Sequence, residues 1–212
     1  MRPARIAPLA LLLAAACAPY HLPMPESFDA EQAVITGSYS ALQVAGWQLS
    51  APFRSTNARM QNANYTGIRP SRQEEYRFQL TKANKTAKVD CNFSAGRLGG
   101  VGASSNYVTE DENLICNVTG ASTWHIDIEN TPQQRLSGTL SGRQTYHVVA
   151  EVMPESPVTG FYITDEGVTI AAVQIEDKPR VFFARSLSEE ERDALVPAIA
   201  ALLMLDEKVH GV

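Results

Sequence analysis

Ala194-Leu195-Val196-Pro197-Ala198-Ile199-Ala200-Ala201-Leu202-Leu203-Met204-Leu205 carries no charge and no hydrogen-bonding side chain over twelve residues. Just upstream, Ser188-Glu189-Glu190-Glu191 has the form of a capping box, with a hydroxyl for an orphan backbone N–H and a carboxylate reaching back. Acidic residues in that turn also suit the positive end of a helix dipole. Together they predict a helix over about 188–206. A helix apolar on every side offers no face to water and has to be enclosed. Its apolar length falls well short of the roughly 20 residues needed to span a bilayer. Leu195, Ile199, Leu202 and Leu203 are therefore expected in a buried central helix. Pro197 cannot donate to residue 193 and costs up to ~3 kcal/mol in a continuous helix. Two solutions are open: a kink, or a short acidic helix handing over to a second one near Val196.

Whatever encloses this helix is built from strands. From about Gln43 onward, short alternating apolar segments are divided by turn residues, the pattern of an antiparallel all-β domain. Ala45, Trp47 and Leu49 share one parity, as do Tyr76, Phe78 and Leu80. A turn at Lys82–Lys85 leads back through Ala87, Val89, Cys91 and Phe93. Trp124, Ile126 and Ile128 alternate with His125, Asp127 and Glu129. Further strands are read at Leu136–Leu140, Tyr146–Val152, Phe161–Thr164, Val168–Ile175 and Val181–Ala184. Arg54–Arg72, rich in Asn, Ser and Arg, has no alternation that assigns its elements.

The two cysteines of the body set a register. Opposed residues in an antiparallel pair share a constant index sum. Setting Cys91 against Cys116 also sets Val89 against Val118 and Phe93 against Leu114, so a disulfide and both flanking apolar pairs fall on one face. Such a bridge contributes ~3 kcal/mol by the chain-entropy argument. It would anchor a Gly-rich loop over Ala95–Gly102.

Closing the strands round the apolar helix hides the helix and removes most sheet edges. With Gly160-Phe161-Tyr162-Ile163, the turn Asp165-Glu166-Gly167, Ala171-Ala172-Val173, Val181-Phe182-Phe183 and the terminal helix, the chain resembles the tubby C-terminal-like superfamily, which includes phospholipid scramblases and LURP-one-related plant proteins. The likeness is one of pattern and covers about Val158–Asp206. It implies a closed or nearly closed antiparallel β-barrel enclosing a C-terminal apolar α-helix. The alternative is a β-sandwich with a capping helix, a packing that normally leaves a polar stripe, which Ala198–Leu205 lacks.

The N-terminus reads as an export signal over residues 1–16: Arg2 and Arg5, an apolar run from Ile6, then the small residues Ala14–Ala16 before Cys17. Cysteine in that place resembles the lipobox of bacterial lipoproteins, which implies lipidation at Cys17 and a membrane-anchored protein. The alternative is ordinary cleavage and a secreted soluble chain with Cys17 as a free thiol. Of three cysteines, pairing Cys91 with Cys116 leaves one over, at the place a lipid would take. An exported compartment permits the disulfide. No aspartate follows Cys17, which favours the outer over the inner membrane. Residues 17–30, with three prolines, read as a tether, and 31–212 as a single domain. The sequons at Asn64, Asn84, Asn92 and Asn117 are coincidental in a bacterium and glycan acceptors in a eukaryotic secreted protein.

No catalytic set, cofactor motif or metal spacing emerges. The four histidines (His21, His125, His147, His210) lack ligand spacing. No nucleophile elbow surrounds Ser104-Ser105, and Gly96–Gly102 matches no phosphate-binding fingerprint. Asp111, Asp127 and Asp165 have no EF-hand spacing, so the calcium site of scramblases does not carry over. Charge is uneven: Arg54–Arg97 holds nine basic and three acidic residues, against a net charge of −5 for the whole chain. That balance argues against nucleic acid. Arg77, Lys82, Lys85 and Lys88 make a candidate surface for anionic lipid, each cation worth about 1 kcal/mol near such a surface. The solvated-strand reading of the same residues stands beside it. Three functional readings follow: a lipid-anchored, non-enzymatic binding module for anionic lipid or a protein partner; an accessory lipoprotein scaffolding an envelope complex; and a hydrolase whose residues converge only in three dimensions.

Overall fold

The computed structural model describes residues 21–38, 41–63, 67–97, 109–131, 134–152, 158–175 and 178–205. Cys17, Asn64, Ser104, Ser105, His210 and the loop from Leu98 to Gly102 lie outside them. Strands β1 (Ala30–Ala33), β2 (Ile35–Thr36), β3 (Gln43–Val44), β4 (Trp47–Ala63), β5 (Gly67–Lys82), β6 (Lys85–Arg97) and β7 (Thr109–Gly120) lead into β8 (Trp124–Thr131), β9 (Gln134–Ser141) and β10 (Thr145–Val152). Then come β11 (Val158–Asp165), β12 (Val168–Gln174), β13 (Arg180–Ala184) and the helix α1 (Glu189–Leu203).

All strands belong to one antiparallel sheet in which β2 to β13 follow one another in chain order. The edges are β1, paired with β13, and β2, paired with β3. Only Val34 separates β1 from β2, so one stretch of chain serves both edges and the sheet wraps into a nearly closed barrel. The enclosed helix is the feature that the apolar segment demanded. Every residue from Leu195 to Leu203 is buried, with Ile199 and Leu203 fully inaccessible. It packs against β6 and β7 on one wall and β12 on another.

Alternation held in β4, β5, β6, β8 and β10, whereas β12 is buried continuously from Ile170 to Gln174. Trp47, Leu49, Tyr76, Phe78, Leu80, Ala87, Val89, Trp124, Ile126, Ile128, Tyr146 and Val148 all point inward and are buried. The cysteine register is the one the index sum requires: Cys91 opposes Cys116, Val89 opposes Val118 and Phe93 opposes Leu114. The Cys91–Cys116 disulfide lies inside, out of contact with solvent.

A single helix runs through Pro197, so the two-helix solution is not the one adopted. Proline removes a donor from the carbonyl four residues back, and the barrel wall supplies polar contacts at that turn. The Trp124 indole N–H donates to the Ala194 carbonyl at 2.6 Å, and the Asp193 side chain takes the Trp47 indole at 3.4 Å. At the N-terminus both halves of the capping box form: Glu191 N–H donates to Ser188 Oγ (3.3 Å) and Ser188 N–H to Glu191 Oε2 (2.7 Å). At the buried C-terminus, where the last carbonyls need partners, Tyr76 Oη donates to Ala201 O at 3.0 Å and Met204 N–H to Ala200 O at 3.0 Å.

The structure adds to the sequence reading in three places. The described residues of Arg54–Arg72, whose elements the sequence left unassigned, belong to a long β4–β5 hairpin, paired from Phe53↔Arg77 out to Ala63↔Gly67. Its strands stay in register by backbone pairing, and its sequence does not alternate. The Gly-rich segment is shorter than read, because β6 continues through Arg97 opposite Thr109. Finally, the described part of the 17–30 stretch is no free tether. Leu22 is buried, and its N–H donates to the buried Gln174 Oε1 at 3.0 Å. Tyr162 Oη bonds the Pro23 carbonyl, and Arg180 lies 2.9 Å from His21 Nδ1. The glycine at 160 leaves room for Leu22: a Cβ there would meet its Cδ1 at 2.8 Å.

Candidate functional site

The basic hairpin is the surface singled out by charge. Its turn, with Ala83 at φ 51°, sets Lys82 directly opposite Lys85. Two ammonium groups so placed would repel across the strands, yet both are drawn to one carboxylate on α1. Lys82 Nζ is 2.6 Å from Asp193 Oδ1 and Lys85 Nζ 3.0 Å from Oδ2. Burial alone would raise the Asp193 carboxyl pKa. The hydrogen bonds from Lys82 and Lys85, the Lys82 charge and the Trp47 indole outweigh it and hold the group below the usual carboxylate range.

Arg77 is also engaged. Its guanidinium pairs with Glu75 and, at 3.2 Å, with Asp90, and stands 5.6 Å from the centre of the Phe53 ring. Lys88 points outward as its parity requires and makes no ion pair among the described residues. Of the four cations expected to form a lipid-facing patch, two clamp the helix into the barrel and one is balanced locally. They do share one hairpin, but not one free positive surface.

The sequence reading missed an interior ion pair, Arg54 with Glu74. Glu74 is 3 % exposed. It has the parity of Tyr76, Phe78 and Leu80, so the alternation that placed those three inside would also have placed Glu74. Arg54 opposes Tyr76 across the pair, because β4 shifts register between Ser50 and Phe53. This charged pair marks where the apolar filling of the barrel ends.

Beyond it, β4 to β7 run on as a ribbon. Their outward residues Gln73, Ser94 and Asn113 lie in one row across the strands, with Glu75, Asn92 and Ile115 in the next. These six, with Glu74 and Phe93, line a groove of about 320 Å³. Asn113 Oδ1 is buried there without a hydrogen-bond partner among the described residues, and Ile115 is partly exposed. The groove thus offers amides, a hydroxyl, the Glu75 carboxylate and an apolar contact at Ile115. Beside it, β4 pairs with β3 only at Trp47 and Gln48. From Ser50 to Ala63 its second edge has no strand partner among the described residues.

The histidines do not converge. His125 and His147 are both exposed on the outer wall, on β8 and β10, with β9 between them, a gap of roughly 10 Å from strand spacing alone. His125 Nδ1 lies 2.9 Å from Asn117 Oδ1. No group of three His, Cys, Asp or Glu poised to hold a metal occurs among the described residues. No helix of the described chain is long and apolar enough to cross a membrane. No family model, no curated protein and no solved structure matches this chain.

Proposed function

We propose that the chain is an exported barrel, anchored to the membrane by a lipid on Cys17, that serves as a non-enzymatic binding module for a protein partner. One observation carries the choice of partner: the edge of β4 from Ser50 to Ala63 that has no strand partner among the described residues. A long unpaired strand edge presents a row of backbone donors and acceptors, the template for adding a strand from another polypeptide. The groove on β5–β7 adds an acceptor at Asn113 with no partner among the described residues and an apolar contact at Ile115. The anionic-lipid reading of the hairpin is weakened by the same structure, since Lys82 and Lys85 are held by Asp193 and Arg77 by its neighbours. The helix-filled barrel is the architecture that the tubby-like resemblance implies.

The test is site-specific photo-cross-linking in the full chain, with the photoreactive residue at Ser55 on β4 or at Thr139 on β9. A stoichiometric protein adduct from Ser55 only, lost when residues 58–71 are removed, is the expected result. Adducts of equal yield from both positions, or none from Ser55, overturn it. Co-sedimentation with anionic vesicles that depends on Lys88, abolished by Lys88→Glu, would return the lipid reading.

A further inference from the structure

We propose that the outer face of β11–β13 is the side of the barrel that lies against the membrane, held there by the docked segment His21–Pro23. This rests on the lipid anchor at Cys17. The segment is fixed by three separate contacts: Leu22 with Gln174 and Gly160, Pro23 with Tyr162, and His21 with Arg180. All four barrel residues lie on the outward face of these three strands, since their partners in parity, Phe161, Ile163, Val173 and Val181, face the helix.

Reach then limits orientation. Leu22 follows Cys17 by five residues, which span at most about 18 Å when fully extended. Thirteen strands at ~4.8 Å spacing make a wall roughly 20 Å across before side chains are added. A lipid on Cys17 therefore cannot enter a bilayer on the far side of the barrel from Leu22. The far side is β6 with its neighbour β5, each six places from β12 in the wrapped strand order, and α1 lies between β12 and β6.

The two faces differ in their side chains. The residues of β11–β13 that share the parity of Tyr162 and Gln174 include Thr164, Ala172, Arg180 and Phe182 and no carboxylate, and the exposed Asp165 lies only at the end of β11. The β5–β6 wall presents Glu75, Arg77, Lys88 and Asp90. Carboxylates are repelled by an anionic surface, whereas Arg180 and the aromatic rings of Tyr162 and Phe182 suit the headgroup layer.

The experiment uses the full lipidated chain, with its disulfide intact, in vesicles of phosphatidylethanolamine and phosphatidylglycerol containing nitroxide-labelled lipid. A fluorophore is placed by Thr164→Cys on β11 or Lys88→Cys on β6. The expected result is quenching several-fold stronger at 164 than at 88, with the difference erased by Leu22→Asp, which releases the segment. Equal quenching at both positions, or stronger quenching at 88, overturns the orientation. A difference that survives Leu22→Asp removes the docked segment from the account. Mass spectrometry of Cys17 separates the premises: a lipidated Cys17 with equal quenching sinks the orientation alone, and an unlipidated Cys17 sinks the anchor and the orientation together.

Discussion

Strands β4 to β7 each have two halves, and the halves obey different rules. In the half that walls the helix, every second residue is apolar and buried: Trp47 and Leu49, Tyr76 to Leu80, Ala87 to Cys91, Leu114 to Val118. In the half beyond Arg54 and Glu74, pairing continues for many residues without that alternation. The first half is held by what it encloses. The second continues the same backbone ladder, and a strand without one buried face specifies its register only weakly by itself. The walled half thus carries the buried apolar contacts, and the proposed partner edge lies on the half that does not.

Several measurements can break or sharpen that contrast. The largest effect is expected from Ile199→Asp, which puts an unpaired carboxylate inside the barrel. The full chain should lose its cooperative thermal transition by circular dichroism; a transition within a few degrees of the parent would show that the helix does not hold the wall. Next comes the disulfide. Replacing both Cys91 and Cys116 by Ala should cost ~3 kcal/mol in denaturant unfolding, and no change would mean that the walled half keeps its register without the bridge.

Asp193 links the hairpin mouth to the helix, and its removal should cost ~2 kcal/mol at neutral pH, since hydrogen bonds to charged groups are worth about 1.5–3 kcal/mol. The pH dependence follows from the direction of its shift. The folded-state pKa is depressed, so the contribution is complete above the unfolded carboxylate value of ~3.9. It is lost as pH falls from there through the folded value. Parent and Asp193→Asn should thus differ in neutral solution and converge in acid unfolding experiments; a constant gap would assign the loss to packing. The smallest effect is expected from shortening the β4–β5 ribbon by residues 58–71. Stability should move by less than ~0.5 kcal/mol, as for surface changes generally. A loss of several kcal/mol in the same unfolding assay would erase the distinction between the halves.

Legibility followed the same boundary. The cysteine register could be deduced because two cysteines and four apolar neighbours had to share one buried face, and only one index sum allows that. Glu74 was equally deducible from parity, but its polar neighbours Gln73 and Glu75 hid it. The partners of Lys82 and Lys85 were not. Asp193 stands more than a hundred residues away, and no local rule selects it from the other carboxylates. The same is true of Leu22, whose partners Gly160 and Gln174 lie on strands at the other end of the chain.

What twelve uncharged residues dictate is enclosure, because water tolerates no face of such a helix, and strand alternation names the side chains that do the enclosing. Both are short-range facts, readable within a few turns or pleats. Which cations are balanced, where the N-terminal segment rests and which strand edge stays open depend on contacts between residues far apart in the chain. Only the closed barrel, which brings β12, β6 and the helix within touching distance, settles those.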